Sequence, residues 1–252
     1  MDLTYLCNAG VLVSGKSGAI LIDGLTDSRI APYRGLHDRD LEAVLAGKPP
    51  FDTLRAAIFT HTHPDHFSFN NIKQLLTRRP EIIVVFPESE SRRESILYKT
   101  SAISRLNVLS HKCQGETIEL SLDGFQVTAC ATVHDGKEYC SVNHYAYLVC
   151  AEGKKIFHSG DSAPNQGNYS HLNLPAKGID LAILPFPYVG LTSAAQVIAR
   201  DIRPRALGIL HFPLREYDIN CWAKNTYNHY SRIQDMLPTT TFLYSPGTHI
   251  LI

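Results

Sequence analysis

The 252-residue chain has no excess of charge of either sign: lysine plus arginine number 24 and aspartate plus glutamate number 24. That balance removes a global basic field, so neither nucleic acid nor a membrane surface is an expected partner, although a local patch stays open. No apolar run is long enough to span a bilayer, and the N-terminus shows no charged-then-apolar signal segment. The six cysteines (Cys7, Cys113, Cys130, Cys140, Cys150 and Cys221) form no CxxC pair. Free thiols in a reducing cytoplasm are the expectation, with Cys130 and Cys150 as small core residues. No glycine–serine linker, repeat or low-complexity stretch interrupts the chain, which fits one domain over residues 1–252. A Ser-His-Asp or cysteine nucleophile arrangement is also missing.

What the chain does contain is a string of nitrogen and oxygen ligands. His61, His63, Asp65 and His66 are packed into HTHPDH, and His134, Asp161 and His211 follow downstream. Imidazole and carboxylate suit zinc, iron or manganese, and a catalytic zinc takes about three or four protein ligands, so seven exceed the needs of one ion. The run before His61 reads as a buried strand, so the i, i+2 pair His61 and His63 points to one side. Pro64 fits the first position of a following helix, which places Asp65 and His66 in its first turn. His134 follows the alternating run FQVTACATV, Asp161 follows KKIFHSG, and His211 follows ALGIL. Every candidate ligand thus sits at a predicted strand end, where ligand clusters are usually built. Gly160 would let the backbone approach a metal closely.

The order His61-Thr62-His63-Pro64-Asp65-His66, then His134, Asp161 and His211, resembles the metallo-β-lactamase superfamily. The similarity extends from LTYLCNAGVLVSGKSGAILIDGL through LAILPF to LGILHFP. It implies an α/β layered fold, the αββα sandwich, with a dinuclear site at one edge. By the family pattern His61, His63 and His134 would hold one ion, Asp65, His66 and His211 the other, and Asp161 would bridge them. Asp23, in ILIDG, matches a position that supports the ligands from behind. Enzymes of the family that open β-lactams commonly use a cysteine ligand, and this chain offers none. The Gly-Gly-Asn turn of glyoxalase II and many lactonases is replaced by Phe67-Ser68-Phe69. The sequence is more similar to the broad branch that contains ascorbate-6-phosphate lactonase.

Alternation and helical spacing predict strands at 3–6, 10–14, 18–22, 56–60 and 82–86, then at 117–121, 125–133, 144–151, 154–158, 180–184, 206–210 and 240–244. Helices are expected near 67–78, 89–101, 192–202 and 222–236, with a short one in DRDLEAVLAG. The segment from Leu25 to Asp52 is long for a connection. Its Tyr33, Arg34, His37 and Arg39 could cover the site and contact an anionic substrate, or the segment could be an ordinary packed loop. Phe186, Pro187 and Tyr188 form either a pocket wall or a plain turn. Trp222, Tyr227, His229 and Tyr230 have helical spacing that favours core packing. His158, two residues before Gly160 on a predicted strand, faces either the core or the sheet surface, while His37, His111, His144, His171, His229 and His249 have no paired ligand spacing and read mostly as surface or structural.

Charge indicates what such a site would do. Two divalent ions bring four positive charges; Asp65, Asp161 and one hydroxide leave a single positive charge, which favours an anionic small molecule and stabilises an oxyanion. A metal lowers the pKa of bound water from about 15.7 to about 7. A bridging hydroxide, held by Asp65, could then attack an ester, lactone or phosphodiester bond. Zinc is the leading cofactor, with manganese or iron as alternatives. Two other readings stay open: an iron redox enzyme of the dioxygenase kind, and an RNA or cyclic-nucleotide phosphodiesterase.

Overall fold

Period-two burial organises the first strands into a two-faced sheet. Leu3, Tyr5, Val11, Val13, Ile20 and Ile22 point into one core cluster, while the intervening Leu12, Leu21 and Ala19 point into another. Successive strand residues face opposite sides of a sheet, so a sheet covered on both faces needs apolar residues at nearly every position. The computed structural model describes residues 1–27, 31–89, 97 and 103–252.

The first sheet comprises β1 (Asp2–Cys7), β2 (Gly10–Gly15), β3 (Gly18–Ile22), β4 (Leu54–Ile58), β5 (Ile83–Pro87), β6 (Leu106–Leu109) and, from the far end of the chain, β14 (His249–Leu251). The second comprises β7 (Thr117–Leu122), β8 (Phe125–Thr132), β9 (His144–Ala151), β10 (Lys154–His158), β11 (Leu181–Pro185), β12 (Ala206–Leu210) and β13 (Thr239–Phe242). Their orders are β14-β1-β2-β3-β4-β5-β6 and β7-β8-β9-β10-β11-β12-β13. In each, the first four strands pair antiparallel and the last four pair parallel. The two sheets therefore repeat one plan, and the strand end after β3 corresponds to the strand end after β10.

Between the sheets lies a cluster fed by both, with Ile20, Ile58 and Val85 from the first and Phe125, Tyr145, Tyr147 and Ile183 from the second. Helices cover the outer faces, giving the αββα layering expected of the sequence. On the first sheet lie α1 (Asp38–Ala46) and α2 (Phe69–Arg78), which bury Val44 and Leu45, and Ile72, Leu75 and Leu76. Gly47 ends α1 with φ +61°, its N–H bonded to the carbonyls of Ala43 and Val44, a left-handed cap that glycine adopts without a Cβ clash. Over the second sheet lie α3 (Gln166–Tyr169), α4 (Leu174–Lys177), α5 (Pro187–Gly190), α6 (Thr192–Val197) and α7 (Trp222–Ile233). Among the described residues no helix is long and apolar enough to cross a membrane.

Several elements differ from expectation. The chain after His63 does not enter a helix at Pro64: Pro64 to His66 form a turn, with the N–H groups of His66 and Phe67 both bonded to the His63 carbonyl. Phe67 bridges Leu25 in extended form and Ser68 caps α2 by accepting from the Asn71 N–H, so the helix starts at Phe69. β6, β14 and the one-turn helices α3 to α5 are too short to leave a periodic signal. The helix expected near 89–101 falls almost wholly outside the described residues. α7 buries only Thr226, and Trp222 and Tyr227 are 42% and 57% exposed, because this helix lies at the surface; Tyr230 does pack on the outer cluster.

Candidate metal centre

The residues that follow β1, β3, β4, β8, β10 and β12 meet at one edge of the sandwich. There His61, His63 and His134 form one group of ligand atoms and Asp65, His66, Asp161 and His211 another, the atoms within each group lying within 4.8 Å of one another. His61 Nε2 stands 3.0 Å from His63 Nδ1, and His66 Nε2 stands 3.1 Å from His211 Nε2. Imidazole nitrogens this close must share a proton or a cation. Asp161 Oδ2 lies 3.2 Å from His66 Nε2, 3.1 Å from His211 Nε2 and 3.8 Å from His134 Nε2. One carboxylate therefore touches both groups. Asp65 Oδ2 lies 3.4 Å from His211 Nε2 and 3.5 Å from His66 Nε2.

Metal ions fit this donor set. Of three buried side-chain atoms without a hydrogen-bond partner among the described residues, one is Asn8 Oδ1 and two belong to this donor set, His134 Nε2 and Asp161 Oδ1. Such atoms cost about 1–3 kcal/mol each when left unpaired, a penalty that a cation between them removes. His134 donates from Nδ1 to the Asp135 carbonyl at 2.6 Å, which leaves the orphaned Nε2 as the lone-pair nitrogen.

Asp23 is fully buried behind the ligands. Its Oδ1 accepts from the Thr60 N–H at 2.8 Å, and its Oδ2 accepts from the Thr60 hydroxyl at 2.7 Å and from His66 Nδ1 at 2.9 Å. Thr60 Oγ1 in turn accepts from His61 Nδ1 at 3.0 Å. One carboxylate thus turns the Nε2 atoms of both His61 and His66 toward the site, the arrangement by which a second layer of residues sets ligand tautomers.

Two residues that carry no sequence signal also hold the ligands. Asn8 donates from Nδ2 to the Oδ2 and the carbonyl of Asp65, both at 3.1 Å, and its own carbonyl accepts from the His211 N–H at 3.2 Å. His144, buried at the start of β9, accepts from the Asp161 N–H at 3.0 Å and donates to Thr132 Oγ1 at 2.8 Å. Its ring packs 5.1 Å from His61 and 5.6 Å from His134. Gly160, at φ +54°, makes this approach possible: a Cβ there would lie 2.6 Å from Thr60 Cβ and 2.8 Å from His144 Nε2. The space glycine frees is used by these two side chains. Asn8, Asp23 and His211 have φ of +27°, +48° and +66°, and backbone of this kind gathers at functional sites. His158 stays off the site, bonded to the Ala9 carbonyl and the Gly160 N–H.

Charge divides the two groups. Burial, reinforced by neighbouring histidines, holds the pKa of His61 well below its ordinary range and lowers those of His63 and His134. Burial also opposes protonation of His66 and His211, but Asp161 and Asp65 outweigh it, lifting His66 well above its ordinary range and His211 to about 10. Asp65 is held down to about 2, burial notwithstanding, by His66 and His211. Without metal, protons on the second group supply the positive charge its carboxylates demand.

A cavity of about 640 Å³ opens over the site, walled by Tyr33, Tyr139, Phe186, Leu191 and Trp222 beside the ligands. Tyr188 reaches this wall too, but its hydroxyl is engaged with Tyr169 and donates to the Ser162 carbonyl at 2.8 Å. Arg34 and His37 do not line the cavity. Both are exposed, and His37 caps α1 by accepting from the Arg39 N–H, which draws it to the helix rather than to the site. Among the described residues of the long connection, Tyr33 reaches the candidate ligands, its ring 4.3 Å from that of His211.

Two facing sheets with this ligand edge define a metallo-β-lactamase fold with a candidate metal site. Residues 19–217, a stretch that contains all seven candidate ligands and Asp23, match the model of the beta-lactamase superfamily domain, and the chain belongs to that family. No curated protein matches the sequence. Among solved structures it is similar to a possible metal-dependent hydrolase from Veillonella parvula, with 13% identity, TM-score 0.69, and coverage of 100% of this chain and 99% of that one. An isothiocyanate hydrolase from Delia radicum gut bacteria gives 14% identity and TM-score 0.62, with coverage of 100% and 99%. CmlA, a diiron β-hydroxylase from Streptomyces venezuelae, gives 15% identity and TM-score 0.67. This chain is covered completely in that comparison but spans about half of CmlA, 54% of its length.

Proposed function

We propose that the protein is a metal-dependent hydrolase with a dinuclear centre, zinc being the leading metal. His61, His63 and His134 would hold one ion, Asp65, His66 and His211 the other, and Asp161 would bridge them. The observation that carries this reading is the position of Asp161, whose Oδ2 lies within 3.8 Å of a histidine of the first group and within 3.2 Å of two histidines of the second. When bound, the ions would supply an acidified water and a Lewis acid for the substrate oxygen. The chain's part is positional. Asp23 and Thr60 aim His61 and His66, Asn8 holds Asp65 beside the reacting space, and Asp65 can orient an attacking water by accepting its hydrogen bond.

Ester, lactone and thioester bonds suit this arrangement better than a nucleic-acid backbone. Among the described residues lining the cavity there is no lysine or arginine, the residues that usually meet phosphates. Metal analysis followed by assay on esters, lactones, thioesters and phosphodiesters tests the proposal. Two equivalents of zinc with turnover of a carbonyl substrate support it, and a metal-loaded protein inert toward the whole panel rejects it.

Oxygen chemistry on iron is the second reading. Its support is an all-nitrogen-and-oxygen ligand set, which iron accepts, on a fold similar to that of a diiron β-hydroxylase. Stoichiometric iron with substrate-dependent oxygen uptake would establish it in place of hydrolysis.

A further inference from the structure

We infer that the cavity takes a substrate whose body is uncharged and aromatic, an inference that rests on the hydrolase reading and narrows its substrate class. The walls are rings. Tyr33 stands edge-on to His211 at 4.3 Å, and Tyr139 lies 5.1 Å from His63 and 5.0 Å from His134, so two tyrosines flank the ligands. Phe186 and Trp222, 5.6 Å apart, form another wall, joined by Leu191. Aromatic walls accept a planar apolar group by stacked or edge-to-face contact.

Charge argues the same way. An anionic body finds no lysine or arginine on the lining among the described residues. The remaining charged wall residue outside the ligand set is Asp135, whose carboxylate already accepts from the Gly136 N–H at 3.0 Å and would repel an anion. Away from the candidate ligands, the wall therefore offers a substrate's body negative charge from Asp135 and no positive charge among the described residues. A cationic body would be pushed away from the ions themselves. An uncharged body escapes both penalties, since burying an unpaired charge is costly. In the reaction, the oxygen of water bonds to the acyl carbon, the ester C–O bond breaks, the departing oxygen takes up one of that water's protons, and the acid product releases the other.

Binding is read by titration calorimetry, which needs neither turnover nor an optical signal. The full-length protein, metal-free and metal-loaded, is titrated with N-(1-naphthyl)acetamide, 1-naphthyl phosphate and (1-naphthylmethyl)trimethylammonium. The neutral probe should bind at least about 10-fold tighter than either charged probe. Phe186→Ala should weaken it about 10-fold at unchanged metal content, and Leu191→Ser, at a half-exposed position, should weaken it several-fold. Equal or tighter binding of a charged probe, no binding of the neutral probe, or unchanged affinity in both variants overturns the inference. Hydrolysis of 1-naphthyl acetate separates the two proposals: tight neutral binding without turnover rejects the hydrolase and leaves the aromatic cavity. Turnover that prefers 1-naphthyl phosphate over the acetate rejects the aromatic, uncharged substrate and leaves the hydrolase.

Discussion

Asp23 Oδ2 meets His66 Nδ1 at 2.9 Å with neither side chain exposed to solvent. The pair joins the end of β3 to the HTHPDH turn, and through Thr60 the same carboxylate also steers His61. Removing the carboxylate charge while keeping its shape, as in Asp23→Asn, should lower metal affinity about 10- to 100-fold. Competition with a chromogenic chelator measures this, and wild-type affinity in a folded variant would show that the ligands need no such support.

Asp161→Ala should release both ions together, because its Oδ2 touches histidines of both groups. His134→Ala should weaken chiefly the ion of the first group. Metal stoichiometry of the purified variants distinguishes the two. Two tightly held ions in Asp161→Ala would exclude the bridge, and equal loss from both positions in His134→Ala would exclude the division of ligands.

Gly160→Ala places a methyl group 2.6 Å from Thr60 Cβ at a φ of +54°. The left-handed backbone alone costs roughly 1–2 kcal/mol for a residue with a Cβ. The methyl must also displace Thr60 or His144, each of which holds a ligand segment. We expect a fall in Tm of several degrees and weaker metal binding. A variant with unchanged Tm and metal affinity would mean that the loop tolerates a shift.

Metal removal should make stability depend on pH in both directions. His211 has its folded pKa raised to about 10, so its contribution is full below the ordinary value of 6.5 and fades as pH rises through about 10. His61, His134 and His144 are lowered, mainly by burial, so their contribution is present above 6.5 and is lost as pH falls. The chelated protein should therefore melt highest near neutrality and lose Tm toward pH 10. Bound metal needs His66 and His211 deprotonated, so loading should abolish the alkaline loss. An identical alkaline limb with and without metal would contradict this. Loading should also raise Tm at pH 7.

The ligand string was legible because each member follows an apolar run whose period and length mark a strand, and such ends are where a sheet can present side chains together. Asp23 was legible through family resemblance at ILIDG. Asn8 and His144 were not. Neither stands near a ligand in the chain, and His144 sits 17 residues from Asp161, whose N–H it accepts. Arg34 and His37 were misplaced because a charge near a motif in sequence need not share its face, and α1 claims His37 as a cap. Trp222 was assigned to a core from its helical spacing, which states a face but not what lies opposite it.

By itself the sequence determined the chemistry of the donors and the layering of the fold, since ligand type is written in side chains and burial in period two and helical spacing. Only the tertiary structure decided which donors lie together. Six strand ends separated by as much as 203 residues, from Asn8 to His211, had to meet on one edge, and sheet order rather than chain order governs that meeting. The cavity's character was decided there as well. Tyr33, Tyr139, Phe186 and Trp222 come from four segments with no common pattern, and it is their packing around the ligands that makes an apolar space beside a charged one.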